Sequence, residues 1–142
     1  MPKDDVLVAQ LNLLHDELDH LKRLQDDIRS FDAWNQDWTR KRAVERALEL
    51  CASACFAMGR HIISLESYRY PKSNAEVFIV LQEEGVLDEQ IVATLIRMSA
   101  FRNIIVHEYI KADPTAIYGV FKNHLSDFDK FAQAVTAYMA ED

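Results

Sequence analysis

Polar chemistry breaks into an apolar stretch at the segment FRNIIVHEY, residues 101–109, where Arg102, Asn103, His107, Glu108 and Tyr109 surround Ile104, Ile105 and Val106. Arginine keeps its charge at any ordinary pH and presents a planar fork to oxyanions. Histidine both accepts and returns a proton near neutrality. At about 100° per residue, Arg102 and His107 stand about 140° apart around a regular helix, so they are not an i,i+4 pair on one face. Within one chain they would cooperate only loosely. Two copies of this helix end meeting across a two-fold axis would instead bring each Arg and His to its symmetry mate, so the spacing makes more sense in a dimer. Taken alone, the same residues also suit a salt-bridging arginine and a histidine that caps helix carbonyls. Tyr109 likewise suits a packing aromatic with a bonded hydroxyl, and Glu108 a solvated charge. Both readings stand on these residues alone.

The elements that must position this segment are helices. The chain of 142 residues holds three glycines and three prolines, too few for the frequent turns of an all-β fold. With 49% hydrophobic and 27% charged residues, it can bury a core. Leu7, Leu11, Leu14, Leu18, Leu21 and Ile28 follow the four-three spacing of a long amphipathic helix. Val44, Leu48, Cys51, Cys55, Met58, Ile62 and Leu65 repeat that spacing in a second, which ends before Pro71. Two such stripes predict an antiparallel pair. Residues 30–35 read as the connection between them, with Trp34 and Trp38 as bulky anchors. Ser73 and Glu76 have capping-box spacing and open a short helix carrying Val77, Phe78 and Leu81, which Gly85 ends. Asp88 caps the next helix, which runs through Ile91, Leu95 and Met98 toward His107. Asp113 and Pro114 open a last helix with Ile117, Phe121, Leu125, Phe128, Val135 and Tyr138 inward. The expectation is one domain over residues 1–142, an all-α antiparallel bundle of about five helices.

Sixteen Lys plus Arg against 23 Asp plus Glu give a formal charge of −7, which argues against a broad electrostatic grip on nucleic acid. A local basic site remains in Arg40, Lys41, Arg42 and Arg46. These four suit either a rim for nucleic-acid phosphates or a solvated face pairing with Glu45 and Glu49. The start MPKDDVLVAQ lacks the pattern of a signal peptide, and no segment approaches the ~20 apolar residues of a membrane span, so a cytoplasmic protein without membrane association is expected. Cys51 and Cys55 are four apart with no further cysteine to complete a zinc set, and read as reduced core thiols. Glu17 and His20 match half of a di-iron helix motif that has no second copy in the chain. The three glycines are isolated and form no phosphate loop, so neither metal nor cofactor is expected.

The pattern Arg102-Asn103-x3-His107-x-Tyr109 resembles the Arg-x4-His-x-Tyr signature of the HepT-like branch of the HEPN superfamily, small α-helical ribonucleases that act as toxins. The likeness covers nearly the whole chain. It includes Arg42, Ala43, Val44, Arg46, Ala47 and Leu48, the stretch Glu84-Gly85-Val86-Leu87, the run Met98-Ser99-Ala100-Phe101 before the motif, and Asp113-Pro114 after it. The resemblance implies a HEPN fold and a homodimeric, metal-independent endoribonuclease, the toxin of a type VII-like pair. In it, Arg102 and His107 from both chains catalyse attack of a ribose 2′-hydroxyl on the adjacent phosphate of cellular RNA, tRNA or mRNA. Asn103 would orient the phosphate or the imidazole. The resemblance also implies a partner, a minimal nucleotidyltransferase antitoxin that transfers AMP from ATP to Tyr109. Each adenylate adds bulk and about one negative charge at the mouth of a cationic cleft, which repels RNA. The competing reading is a non-catalytic helical nucleotide- or substrate-binding partner of a nucleotidyltransferase, with Arg102 as a phosphate contact; the −7 charge leans toward it. A purely structural bundle would leave Arg102, Asn103 and His107 without a shared purpose.

Overall fold

The leucine stripe near the N-terminus forms helix α1, Asp5–Asp27, whose buried side is Leu7, Leu11, Leu14, Leu18 and Leu21. Asp4 caps it by accepting from the Leu7 N–H at 3.0 Å, and the same carboxylate lies 2.9 Å from His61 Nε2. The computed structural model describes residues 4–107 and 113–141. Among these the chain forms seven helices, α2 being Phe31–Gln36, α3 Trp38–Glu66, α4 Asn74–Glu83, α5 Glu89–His107, α6 Pro114–Asn123 and α7 Leu125–Ala140. The all-α expectation holds. The number of helices does not, for two physical reasons.

Residues 30–35 are not a plain connection. Ser30 accepts from the Ala33 N–H at 3.1 Å and starts α2. Asp37 both closes α2 and caps α3 through the Arg40 N–H at 3.1 Å. The last helix divides at His124, where φ −125° and ψ 13° leave the helical region. Ile117, Phe121, Leu125 and Phe128 keep helical spacing across that break and are all buried. Periodicity reports which face is buried and is blind to a change of axis direction.

Helix α3 is the centre of the bundle, packing against each of the other six helices. Cys51, Ala52, Ala54, Cys55, Phe56, Met58 and Ile62 are buried nearly all round it. The approach of Asp4, at the start of α1, to His61, near the end of α3, makes those two helices antiparallel, as their stripes predict. By length and composition α3 could cross a membrane, contrary to the sequence expectation, yet 56% of its apolar window is buried inside the molecule. That burial is the mark of a core helix. Leu65 departs from the predicted inward face and is 44% exposed. Trp34 is fully buried, against Phe31 and Tyr118, whereas Trp38 is 65% exposed and is no anchor. Ile91, predicted inward, is half-buried.

Local signals set the ends of α4. Ser73 accepts from the Glu76 N–H at 3.1 Å, but the return arm of the capping box goes elsewhere: the Glu76 carboxylate takes Arg69 Nη1 at 2.7 Å. At the other end Gly85 adopts φ 77°, with its N–H on Gln82 O at 3.0 Å and the Val86 N–H on Leu81 O at 2.9 Å. These are the paired bonds of a Schellman end, which favours glycine for its left-handed backbone.

Candidate active site

Asp88 opens α5 by accepting from the Ile91 N–H at 2.9 Å. The helix seats Val92, Leu95 and Ser99 in the interior and packs against α3, α4 and α7. Arg102 follows Ser99 by three residues and therefore leaves the core on nearly the same face. It is half-buried against α3: its Nε donates to Ser53 Oγ at 3.2 Å, and its guanidinium carbon lies 5.7 Å from the centre of the Phe56 ring. The helix continues through His107. The two residues are thus about 7.5 Å apart along one axis and, as the sequence spacing required, on different faces. The side chains of Asn103 and His107, and all of Tyr109 and Glu108, lie outside the described residues.

The four basic residues occupy the first turns of α3. Arg40 lies 3.8 Å from Asp37, Lys41 donates to Asn35 at 2.9 Å, Arg42 pairs with Glu45 at 3.2 Å, and Arg46 pairs with Glu49 at 3.1 Å. Lys41 and Arg42 also sit 5.7 Å and 4.2 Å over the rings of Trp34 and Trp38. The Glu45 and Glu49 pairs are those that the sequence offered as the alternative to an RNA rim. Counting about 100° per residue, Arg42, Arg46 and Ser53 lie within about 20° of one line on α3, and Arg46 to Ser53 is about 10 Å along it. Helix α3 thus carries Arg42, Arg46 and the support of Arg102 on one face, with Arg40 and Lys41 more than about 100° around it.

Ser53 and Phe56 were not singled out from the sequence. The available signal is weak: one hydroxyl in the apolar run CASACFAM, in line with Arg46. Its partner lies 49 residues away, a contact that no local pattern reveals.

The remaining reactive groups are unsuited to chemistry at this place. Burial pushes the Cys51 thiol up to about 12 and the Cys55 thiol well above its ordinary value, so both are protonated, inert core thiols. A cavity of about 640 Å³ opens elsewhere, lined by Glu66, Tyr68, Glu84, Tyr138 and Glu141 among others. Burial, then the Glu66 carboxylate that its hydroxyl meets at 2.6 Å, pushes the Tyr138 phenol up. Three carboxylates around that cavity repel a phosphate, so its size does not make it the place for RNA.

Fold and site define an all-α bundle whose fifth helix carries an arginine and a histidine in its last turns. The chain belongs to the ribonuclease HepT-like family, whose model matches residues 14–135. It is similar to the mRNA nuclease HepT of Shewanella oneidensis, 27% identical over 117 residues that cover 82% of this chain and 88% of that protein. It is also similar to the tRNA nuclease HepT of Aphanizomenon flos-aquae, 25% identical over 134 residues, 94% of this chain and 90% of that one. Its fold matches the solved structure of a tri-AMPylated Shewanella oneidensis HEPN toxin in complex with MNT antitoxin, with a TM-score of 0.87 at 23% identity, covering 95% of this chain and 99% of that one.

Proposed function

We infer that this protein is an endoribonuclease toxin whose catalytic groups are Arg102 and His107, and whose activity an AMP-transferring nucleotidyltransferase antitoxin silences. The observation that carries the reading is Arg102 leaving the core on a helix that continues through His107, inside the region matched by the family. In the reaction, one imidazole removes the proton of a ribose 2′-hydroxyl, the oxygen attacks phosphorus, and the 5′-oxygen leaves with a proton from the other imidazole. A 2′,3′-cyclic phosphate and a 5′-hydroxyl result, with no metal required. The guanidinium stabilises the added negative charge of the pentacoordinate phosphorus, and Asn103 orients the phosphate or the imidazole.

Because Arg102 and His107 are about 140° apart on one helix, the complete site needs two helix ends, hence a homodimer of single-domain chains. Arg40, Lys41, Arg42 and Arg46 form the rim that guides RNA toward it, and Arg42 and Arg46 share the α3 face with the support of Arg102. Tyr109 is the modified residue: its oxygen attacks the α-phosphorus of ATP, pyrophosphate leaves, and each adenylate occupies the phosphate subsite as bound product would. Cellular RNA and ATP both place the working protein in the cytoplasm.

The test is cleavage of total RNA in EDTA by protein that mass spectrometry shows to be unmodified. Wild type is expected to cut, and Arg102→Ala and His107→Ala to lose cleavage by at least a hundredfold, roughly the scale of a general acid–base or charge-stabilising group. Cleavage retained by either variant removes that residue from the mechanism. With the antitoxin and ATP, adenylate additions are expected on wild type and absent from Tyr109→Phe; additions that persist there refute the assignment.

The pairing of Arg40, Arg42 and Arg46 with carboxylates favours a second reading, a non-catalytic nucleotide- or substrate-binding partner of the nucleotidyltransferase. The same assay separates the two. Unmodified wild type that binds nucleotide and cuts no RNA establishes the second.

A further inference from the structure

We propose that Ser53 is a positioning residue that sets which edge of the Arg102 guanidinium faces the substrate phosphate. The proposal rests on the reading of Arg102 as catalytic. An arginine side chain has several rotatable bonds and five N–H donors, and it can address a phosphate either end-on through its two Nη groups or side-on through Nε and one Nη. The bond from Nε to Ser53 Oγ, 3.2 Å long, engages the side-on edge. What remains for a two-point grip on phosphate is the end-on Nη pair. The Phe56 ring, itself buried, flanks the cation at 5.7 Å and limits rotation about the same bonds.

The placement of the hydroxyl supports this assignment. Ser53 lies half-buried between the buried alanines Ala52 and Ala54, where a third alanine would pack as well and form helix slightly better. Hydroxyls inside helices commonly turn back on the carbonyl four residues earlier. Thr94 and Thr136 do so here, onto Gln90 O at 3.4 Å and Ala132 O at 2.9 Å. Among the described residues, the bond recorded for the Ser53 hydroxyl is the one from another helix, to the one arginine in the family motif. A serine spent this way orders a long side chain before substrate arrives, which removes an orientation cost from the chemical step.

The experiment compares wild type with Ser53→Ala and with the near-isosteric pair Ser53→Thr and Ser53→Val, using unmodified protein and an RNA oligonucleotide of the cleaved sequence. Loss of the hydroxyl is expected to lower kcat about tenfold with KM changed less than about twofold, since a misaligned guanidinium fails mainly in the transition state. Threonine restores kcat and valine does not, at equal helicity and thermal midpoint. In proton–nitrogen NMR the Arg102 Nε–H resonance, identified by its loss in Arg102→Lys, is expected to exchange faster with water in Ser53→Ala and Ser53→Val. Wild-type kcat in Ser53→Val while Arg102→Ala is inactive overturns the positioning role and leaves Arg102 catalytic. A fall in kcat with the Nε–H resonance and its exchange unchanged also overturns it. Cleavage retained by Arg102→Ala overturns the reading beneath it instead.

Discussion

Single residues in this protein hold either a strained backbone or a fixed charge, and each has a measurable consequence. Ser67 ends α3 with φ 56° and ψ 36°, a left-handed conformation that glycine occupies without penalty. Its neighbours still complete the helix end, with the Tyr68 N–H on Ile63 O at 3.0 Å. Ser67→Gly is therefore expected to stabilise the fold by up to about 1 kcal/mol, the cost of a left-handed L-residue less the greater flexibility of unfolded glycine. Urea unfolding measures it, and a lower midpoint contradicts it. The sequence offered no sign of this strain. Serine is an ordinary residue at a helix end, and only the backbone angles reveal which serine has the work of a glycine.

Elements meet where side chains are small. Gly59, on the face of α3 toward α4, leaves room for Val77, and a Cβ at that position would lie 2.5 Å from Val77 Cγ1 and 3.3 Å from Leu81 Cδ1. Both neighbours are fully buried and have nowhere to move. Alanine in a helix gains about 0.5–1 kcal/mol over glycine, while forcing a methyl into a packed core costs about 1–3 kcal/mol. Overpacking wins. Gly59→Ala is expected to destabilise by about 1–2 kcal/mol in denaturant unfolding, and its combination with Val77→Ala to lose less than the sum of the two singles. Two singles whose effects simply add would show that the helices do not meet there. Helix ends were legible by contrast, because Asp88, Ser73 and Asp113 act on amides two or three residues away. The α6–α7 break was not, since its apolar spacing continues through His124.

Over the whole molecule, carboxylates that folding pairs or hydrogen-bonds make low pH the weak side of stability. Asp4 is held below the usual range by its bond with His61 and by the Leu7 amide, and so ties α1 to α3. Arg69 lies between α3 and α4 and grips Glu83 with two bonds of 2.9 Å and Glu76 with one of 2.7 Å, so that both carboxyls are also lowered. A carboxyl lowered by folding contributes stability that is present above its unfolded value, near 4.5 for Glu76 and Glu83, and lost as pH falls through the folded value. Arg69→Gln is expected to lower stability at pH 7 and to flatten the loss of stability below about pH 4.5. Urea midpoints at pH 7 and pH 3.5 check it, and an unchanged difference between the two pH values contradicts it. These pairs are exposed, so the change is expected to be small.

Repetition and short-range bonding were within reach of the sequence alone. The apolar spacing specifies which face of each helix is buried, the caps specify where most helices begin, and FRNIIVHEY marks a helix that carries an arginine and a histidine out of phase. Each of these depends on residues within a turn or two of one another, and such interactions survive in any arrangement of the helices. Tertiary structure alone decided that α3 is central, that Trp34 is buried while Trp38 is exposed, and that Arg102 rests on Ser53 and Phe56. Those outcomes join residues far apart in the chain, and the direction in which one helix crosses another is set by the packing of both.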